Sequence, residues 1–169
     1  GRIIGEVCHF VDLLTFLVGS LPVSVSGRSL PNRGRYADDN LVATIQFADG
    51  SIGEIVYVAN GDKAYPKERL EVFGGGSVAL LDDFRVLQTT RSGRTSTQRT
   101  RLTQDKGHTA EWRAFVGAVQ GGGDLPISWE ELLATSLTTF AIRDSLRDGQ
   151  PRQIDAPALL AGARSSAKG

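Results

Sequence analysis

Methionine is absent from the 169-residue sequence, and cysteine occurs once, at Cys8. A single cysteine cannot form an internal disulfide, which favours a reducing, cytoplasmic location. Natural chains start with methionine, and the opening residues Gly-Arg-Ile-Ile-Gly-Glu resemble the interior of a protein. We therefore expect the chain to be a domain cut from a longer protein at a boundary before Gly1.

The sequence also has no net charge, because Lys+Arg and Asp+Glu both number 19. This neutral balance removes the usual long-range attraction to nucleic acid or to an anionic membrane surface. The apolar runs are too short to span a bilayer, and no charged leader followed by an apolar segment opens the chain. We expect a globular domain with no signal peptide, no nucleic-acid partner and no membrane partner.

The first half of the chain predicts one helix followed by strands. Apolar residues recur at helical spacing up to Gly19, which is a natural helix end: Val7, Phe10, Val11, Leu14, Leu17 and Val18. An extended stretch starts near Val23. Residues on alternate positions then predict a strand with one apolar face: Leu41, Ala43, Ile45 and Phe47. Asp49-Gly50 predicts a tight hairpin turn into a returning strand over 52–59.

The returning strand has apolar residues on both faces. Val56 and Val58 lie on one face, and Ile55 and Tyr57 lie on the other. Apolar character on both sides indicates a sheet covered on both sides. We expect helices to cover one face and a second chain to cover the other.

A second hairpin is predicted across Gly74-Gly75-Gly76, between strands over 70–73 and 78–81. A further strand is predicted over 84–89, with a polar, basic edge over 92–102. Gly74, Gly76 and Ala79 also match the G-x-G-x-x-A fingerprint of dinucleotide-binding turns. The residues after the glycines have the pattern of a strand, and a dinucleotide site needs a helix there. We therefore predict that this chain contains no dinucleotide-binding unit.

The last third predicts two helices. The first of these helices is predicted to end at 121–123. Its apolar residues recur at helical spacing: Trp112, Phe115, Val116 and Val119. Ser128 and Glu131 have the spacing of a capping box that begins the second. Five residues are expected to point inward from this helix before it ends at Gly149: Leu133, Leu137, Phe140, Ala141 and Leu146. The whole pattern predicts an α+β domain over 1–156, with helices packed on one face of a largely antiparallel open sheet, and a flexible tail over 157–169.

One polar stripe interrupts the apolar first helix. Glu6, His9 and Asp12 are spaced i, i+3 and i+6, which places them on one face. A carboxylate beside an imidazole favours its charged form and orients the ring, which suits proton transfer near neutral pH. The alternative is a buried histidine that is hydrogen-bonded to a carboxylate and has no catalytic role.

Other candidate sites are weaker. The basic residues of the edge segment have no interleaved aromatic residues for base stacking, so they indicate a solvated edge: Arg91, Arg94, Arg99, Arg101 and Lys106. Two histidines and Cys8 cannot assemble a zinc site, so no metal is expected. No serine has the G-x-S-x-G setting of a nucleophile.

Residues 1–14, GRIIGEVCHFVDLL, resemble the segment that opens the C-terminal domain of the glucose–fructose oxidoreductase/inositol dehydrogenase/MocA-type (Gfo/Idh/MocA) family. The resemblance continues through most of the chain. It includes FADGS at 47–51, KERLEVFG at 67–74, VALLDDF at 78–84, and the closing helices with Ser145-Leu146 and Gly149. It implies the fold of that domain, which is similar to the C-terminal domain of dihydrodipicolinate reductase.

The resemblance also implies an activity. Members of the family pair this sheet domain with an N-terminal Rossmann domain that binds NAD or NADP, and they oxidise a secondary alcohol on a sugar, an inositol or a related polyol. His9 matches the family histidine with an acid/base role, and Asp12 matches the aspartate that follows it. We expect Glu6, Asp12, Tyr57, Asn60 and Lys67 to contact substrate, and copies of the chain to associate through the open sheet face. The fragment alone is expected to be inactive.

One position departs from the family pattern. Many members have an aspartate four residues before the histidine, where this chain has Gly5, with Glu6 beside it. Either Glu6 replaces that aspartate, or the domain is a non-catalytic binding and assembly module of the same fold.

Overall fold

The computed structural model describes residues 2–31, 39–100, 107–122 and 125–166. In chain order the elements are a π-helical turn (Ile3–Val7), α1 (Cys8–Val18), β1 (Pro22–Ser29), β2 (Asn40–Phe47), β3 (Ile52–Val58), β4 (Arg69–Gly74), β5 (Ser77–Asp82), β6 (Val86–Arg91), β7 (Arg94–Arg99), α2 (His108–Gly121), α3 (Trp129–Asp148), β8 (Arg152–Gln153) and α4 (Ala156–Ser166). Two four-stranded antiparallel sheets accompany these helices, which confirms the α+β class.

The chain divides into two compact units. The single domain over 1–156 stays a prediction. Unit 1 comprises residues 1–60 and 127–169, and unit 2 comprises residues 61–126. The division has a simple cause in the strand pairing. Strands β4 to β7 pair only with one another, in the order β4-β5-β6-β7, and the strands of unit 1 pair in the order β3-β2-β1-β8.

Unit 1 is built on the predicted hairpin. Asn40 pairs with Val58 and Gln46 pairs with Ile52, and the turn between the strands contains Gly50 at a φ of 90°. The Asp49 carboxylate accepts hydrogen bonds from the Ser51 backbone N–H and hydroxyl, at 3.0 and 2.9 Å. As predicted, one face of β2 is buried through Leu41, Ala43, Ile45 and Phe47. Helix α3 packs against β1 and against α1, so helices cover this face.

Helix α3 begins at the predicted capping box and ends before Gly149. Its inward face differs in part from the expected one, because Phe140 is 41% exposed. The residues that are buried are mostly small or β-branched: Ala134, Thr138, Thr139, Ile142 and Ser145. The helix lies close to the sheet: the Gly27 backbone N–H donates to the Ser145 hydroxyl at 2.9 Å, and a β-carbon at Gly27 would lie 2.9 Å from Leu146. Such a close approach admits short side chains and leaves the bulky ring outside.

Unit 2 contains the second predicted hairpin. Gly75 and Gly76 form its turn at φ values of 55° and 71°, and Ala79 lies within strand β5. The glycine-rich segment therefore joins two strands, and the rejection of a dinucleotide fingerprint there is confirmed. The next strand starts at Val86, later than predicted, because a turn with Phe84 at a φ of 52° precedes it.

Helix α2 lies where predicted, but its apolar residues are exposed to solvent. Trp112 is 66% exposed, and none of the residues of α2 is buried.

The segment predicted as a flexible tail contains helix α4 over Ala156–Ser166. The Asp155 carboxylate accepts a hydrogen bond from the Ala158 backbone N–H at 2.9 Å, which caps the start of this helix. Flexibility of the tail stays a prediction. In the described ranges, no helix combines the length and the apolar character that crossing a bilayer requires.

Candidate active site

His9 lies one residue after a change in helical geometry. Residues Ile3–Val7 form a π-helical turn, and α1 begins at Cys8. Short π-helical segments are frequent at functional sites. The side chain of His9 is exposed. The alternative of a buried structural histidine therefore does not hold.

The two flanks of α1 face different partners. Phe10 and Leu14 are on the sheet side: the Phe10 ring lies 6.4 Å from the Tyr57 ring, and a β-carbon at Gly53 would lie 2.9 Å from Leu14. Asp12 lies on the other flank, since successive helical positions are about 100° apart. Helix α3 also packs against α1.

Asp12 is half-buried. Burial raises the pKa of its carboxyl, the negative charge of Glu131 raises it further, and His9 acts in the opposite direction. The described residues show no hydrogen bond between His9 and Asp12. The effect of His9 on the pKa of Asp12 is electrostatic.

A second polar group lies at the other end of the stripe. The Arg2 Nε atom lies 3.5 Å from the Asp39 Oδ2 atom. A hydrogen bond with Tyr57 and the negative charges of Asp39 and Glu6 raise the pKa of the Arg2 guanidinium. Tyr57 and Glu6, two of the predicted substrate residues, are thus linked through Arg2.

Sequence reasoning missed Arg2, Asp39 and Asn40. Arg2 precedes Glu6 by four residues, which is a detectable helical spacing, whereas no pattern marks Asp39. Asn40 is buried, and its side-chain oxygen accepts a hydrogen bond from the Ala59 backbone N–H at 2.8 Å. This bond holds the chain one residue before Asn60.

The remaining two predicted substrate residues, Asn60 and Lys67, are exposed. Asn60 is the last residue of the first stretch of unit 1. Lys67 lies in unit 2, between the turn at 62–65 and strand β4. Their role in substrate binding stays a prediction.

Within the described parts of the chain, no group of three or more His, Cys, Asp or Glu side chains is arranged to hold a metal ion. The glycine-rich turn of the chain joins two strands, so it has no helix N-terminus to receive a pyrophosphate. The residues around His9 are suited to hydrogen bonding with hydroxyl groups and to proton transfer.

Comparisons with known proteins show the family and the fold of the chain. The family model described as the C-terminal alpha/beta domain of an oxidoreductase family, GFO_IDH_MocA_C, matches residues 1–154. Among curated proteins, none matches the chain.

Several solved structures share the fold. A levoglucosan dehydrogenase in complex with NADH and levoglucosan aligns with a TM-score of 0.76 at 19% identity, covering 91% of this chain and 50% of that one. An oxidoreductase domain protein from Kribbella flavida aligns at 0.70 and 22% identity, covering 92% and 50%. An aldose-aldose oxidoreductase from Caulobacter crescentus, complexed with glycerol, aligns at 0.71 and 15% identity, covering 86% and 45%. The chain therefore spans about half the length of these structures.

Proposed function

The chain belongs to the Gfo/Idh/MocA oxidoreductase family as its C-terminal alpha/beta domain, and from that premise we propose that it binds substrate for an NAD(P)-dependent dehydrogenase. The proposed reaction is the oxidation of a secondary alcohol on a sugar, an inositol or a related polyol. The observation that carries the proposal is the exposed His9, which lies two residues after the π-helical turn that ends at Val7 and one helical turn before Asp12.

His9 is the proposed acid/base residue. Oxidation of an alcohol removes a hydride from carbon and a proton from oxygen, and His9 would accept the proton. Its imidazole becomes a cation in that step, and the negative charge of ionised Asp12 one helical turn away stabilises the cation. An imidazole is well suited to this step because it titrates near neutral pH.

Polyol binding would rely on the polar groups around His9. The carboxylate of Glu6 accepts hydrogen bonds from hydroxyl groups, as does Asp12 when it is ionised. Tyr57 can donate or accept, and its contacts with Phe10 and Arg2 restrict its ring. Asn60 and Lys67 complete the proposed set of substrate residues. Of the similar structures, one is complexed with levoglucosan and one with glycerol, and the hydroxyl groups of both molecules are compatible with such recognition.

The nicotinamide cofactor, NAD or NADP, would supply the hydride acceptor. The glycine-rich turn in unit 2 does not fit its pyrophosphate, so we propose that the cofactor is bound mainly by residues outside this chain.

The open face of the unit 1 sheet is the proposed association surface. Ile52, Val56 and Val58 are exposed on it, and exposed apolar patches of this kind mark interaction sites. We also propose a cytoplasmic location, on the ground that Cys8 is the one cysteine.

Replacement of His9 tests the proposed function. In the complete protein that carries this chain, reduction of NAD or NADP would be followed with a panel of sugars, inositols and other polyols. We expect His9→Ala to lower turnover about 100-fold or more, because a positioned acid/base group contributes that much. His108, an exposed histidine at the start of α2, offers the matched control, and His108→Ala should leave turnover near the wild-type value.

Turnover of His9→Ala near the wild-type rate would contradict the catalytic assignment. A wild-type protein that binds nucleotide or sugar and transfers no hydride to either cofactor would favour the binding and assembly module.

A further inference from the structure

An ion pair joins the start of the His9 helix to the sheet of unit 1. Arg2 precedes the π-helical turn, and its Nε atom lies 3.5 Å from the Oδ2 atom of Asp39. Asp39 directly precedes strand β2. The ion pair therefore connects the segment that carries His9 to the hairpin of β2 and β3.

Asp39 is a well-fixed partner, because the next residue, Asn40, is bonded on both sides. The Asn40 backbone carbonyl accepts a hydrogen bond from the Leu30 N–H, just after β1, at 3.0 Å. The Asn40 side-chain oxygen accepts one from the Ala59 N–H, just after β3, at 2.8 Å. Arg2 is thus attached at a point where the ends of β1, β2 and β3 are hydrogen-bonded together.

The same strand ends carry two of the proposed substrate residues. Tyr57 lies in β3, and Asn60 follows this strand by two residues. The Tyr57 ring lies 6.4 Å from the ring of Phe10, the residue after His9. Two contacts therefore hold the His9 segment against these strands, an ionic contact before His9 in the chain and an aromatic contact after it.

We infer that Arg2 and Asp39 are positioning residues for the proposed reaction. Their ion pair fixes the start of the His9 helix relative to the strand ends that carry Tyr57 and Asn60. The pair thereby sets the distance at which a substrate hydroxyl bound at these strand ends meets the His9 imidazole. The inference rests on the proposed function, and neither Arg2 nor Asp39 contacts substrate in this account.

The exposure of the pair separates a positioning role from a purely structural one. The Arg2 side chain is 52% exposed and that of Asp39 is 21% exposed. An ion pair in contact with water contributes little to global stability, because solvent screens it and both side chains must be ordered. A small displacement of a catalytic group, in contrast, lowers turnover strongly. Loss of the pair should therefore reduce turnover while the fold persists.

Three variants test the pair as a unit: Arg2→Gln, Asp39→Asn and the double variant. Each single change removes one charge and keeps a polar side chain of similar size. If the two residues act only through each other, the double variant should behave like either single variant. Arg2→Lys is the conservative variant, because it keeps a cation that can pair with Asp39.

The matched control is Arg147→Gln. Arg147 is 69% exposed, and its Nη1 atom lies 3.2 Å from the Oδ1 atom of Asp144 in the same helix, α3. Its loss removes an exposed ion pair and disconnects no two elements. All variants would be studied in the complete protein, with thermal unfolding to check that the fold is retained.

Two measurements decide the inference. The first is amide hydrogen exchange over residues 3–10, followed by mass spectrometry, which reports local opening and requires no activity. We expect either single variant to exchange roughly threefold faster there, as loss of an exposed ion pair allows. The second is kcat for the best substrate of the polyol panel, which should fall about tenfold in either single variant.

The remaining variants sharpen both measurements. The double variant should show no further change in exchange or in kcat. Arg2→Lys should lie between Arg2→Gln and the wild type, and Arg147→Gln should match the wild type.

Exchange over 3–10 that is unchanged in both single variants would overturn the inference. So would effects on kcat that multiply in the double variant, because Arg2 and Asp39 would then act independently. A lower kcat without faster exchange would also contradict it, since the helix start would not have been released. If the complete protein has no dehydrogenase activity, the proposed function fails, and the exchange cycle still decides whether the ion pair fixes the His9 segment.

Discussion

The two units of the chain each contain a four-stranded antiparallel sheet, yet among the described residues only unit 1 has buried side chains. In unit 1, Val7, Val11, Ile45 and Ile142 are completely buried between the sheet and the helices. In the described part of unit 2, every residue is partly or fully exposed. The comparison separates two requirements of a sheet. Turns and cross-strand pairing are enough to specify the register, whereas a core needs a second layer.

The turns of unit 2 illustrate the first requirement. Its hairpin positions Arg69 opposite Asp82 and Val72 opposite Ala79 without any buried residue. Cross-strand pairs contribute roughly 0.2–1 kcal/mol each, which is small beside the burial of a whole side chain. We therefore expect the stability of the folded chain to depend mainly on unit 1.

The largest difference should come from matched truncations of one phenylalanine in each unit. Phe47 is 1% exposed and Phe73 is 71% exposed. We expect Phe47→Ala to lower the free energy of unfolding by about 3–5 kcal/mol, because it removes buried surface and leaves a cavity. Phe73→Ala should cost less than about 1 kcal/mol, since it loses only a cross-strand contact.

Urea unfolding measures this difference, and each unit has its own fluorophore. Trp129 lies in unit 1 and Trp112 in unit 2. Equal destabilisation by the two truncations would break the comparison, because unit 2 would then depend on burial as strongly as unit 1.

The next effect concerns the uncovered face of the unit 1 sheet. Val56 is 63% exposed there, opposite Val42 in the neighbouring strand. If this face joins copies of the chain, Val56→Glu buries an unpaired charge in the interface and should dissociate the assembly. Sedimentation of the complete protein measures its oligomeric state. Ser136→Glu, at an exposed position of α3, is the control and should leave the assembly intact.

An assembly that persists in Val56→Glu would show that this face is not the association surface. If the wild-type complete protein is monomeric, no second copy of the chain covers this face of the sheet, and the proposed association is wrong.

The smallest effect concerns the helix starts of the two units. Ser128 caps α3 through its hydroxyl, whereas the residue before α2 is Gly107, which has no side chain for such a cap. We expect Ser128→Ala to lower the free energy of unfolding by about 1 kcal/mol, because the Glu131 backbone N–H loses its acceptor. Ser136→Ala removes a hydroxyl that bonds the Leu132 carbonyl within the same helix, and it should cost much less. Equal costs for the two serine variants, measured by urea unfolding, would contradict a specific role of the cap.

Local patterns predicted most of the elements correctly. The helical spacing up to Gly19, the Asp49-Gly50 turn and the Ser128–Glu131 capping box all formed where expected. Each depends on residues at most a few positions apart, and the physical preference is contained in those residues. The inward face of α3 was predicted less well, because the exposure of Phe140 depends on how closely the helix approaches β1.

The candidate site was also predictable only in part. The spacing of Glu6, His9 and Asp12 was visible in the sequence because all three lie on one short helical segment. The effect of the Glu131 charge on Asp12 was not, since 118 residues lie between Asp12 and Glu131 in the chain, and a capping box by itself indicates only a helix start.

The sequence alone determined the element types, the two hairpin turns and the polar stripe on the first helix, because these follow from local backbone preferences and from periodicity. Only the tertiary structure decided which faces are buried and which charges meet. Strands β4 to β7 contain no buried residue, Arg2 joins Asp39 and Tyr57, and the negative charge of Glu131 raises the pKa of Asp12. Burial and charge coupling depend on distance in space, and distance in the chain does not set them.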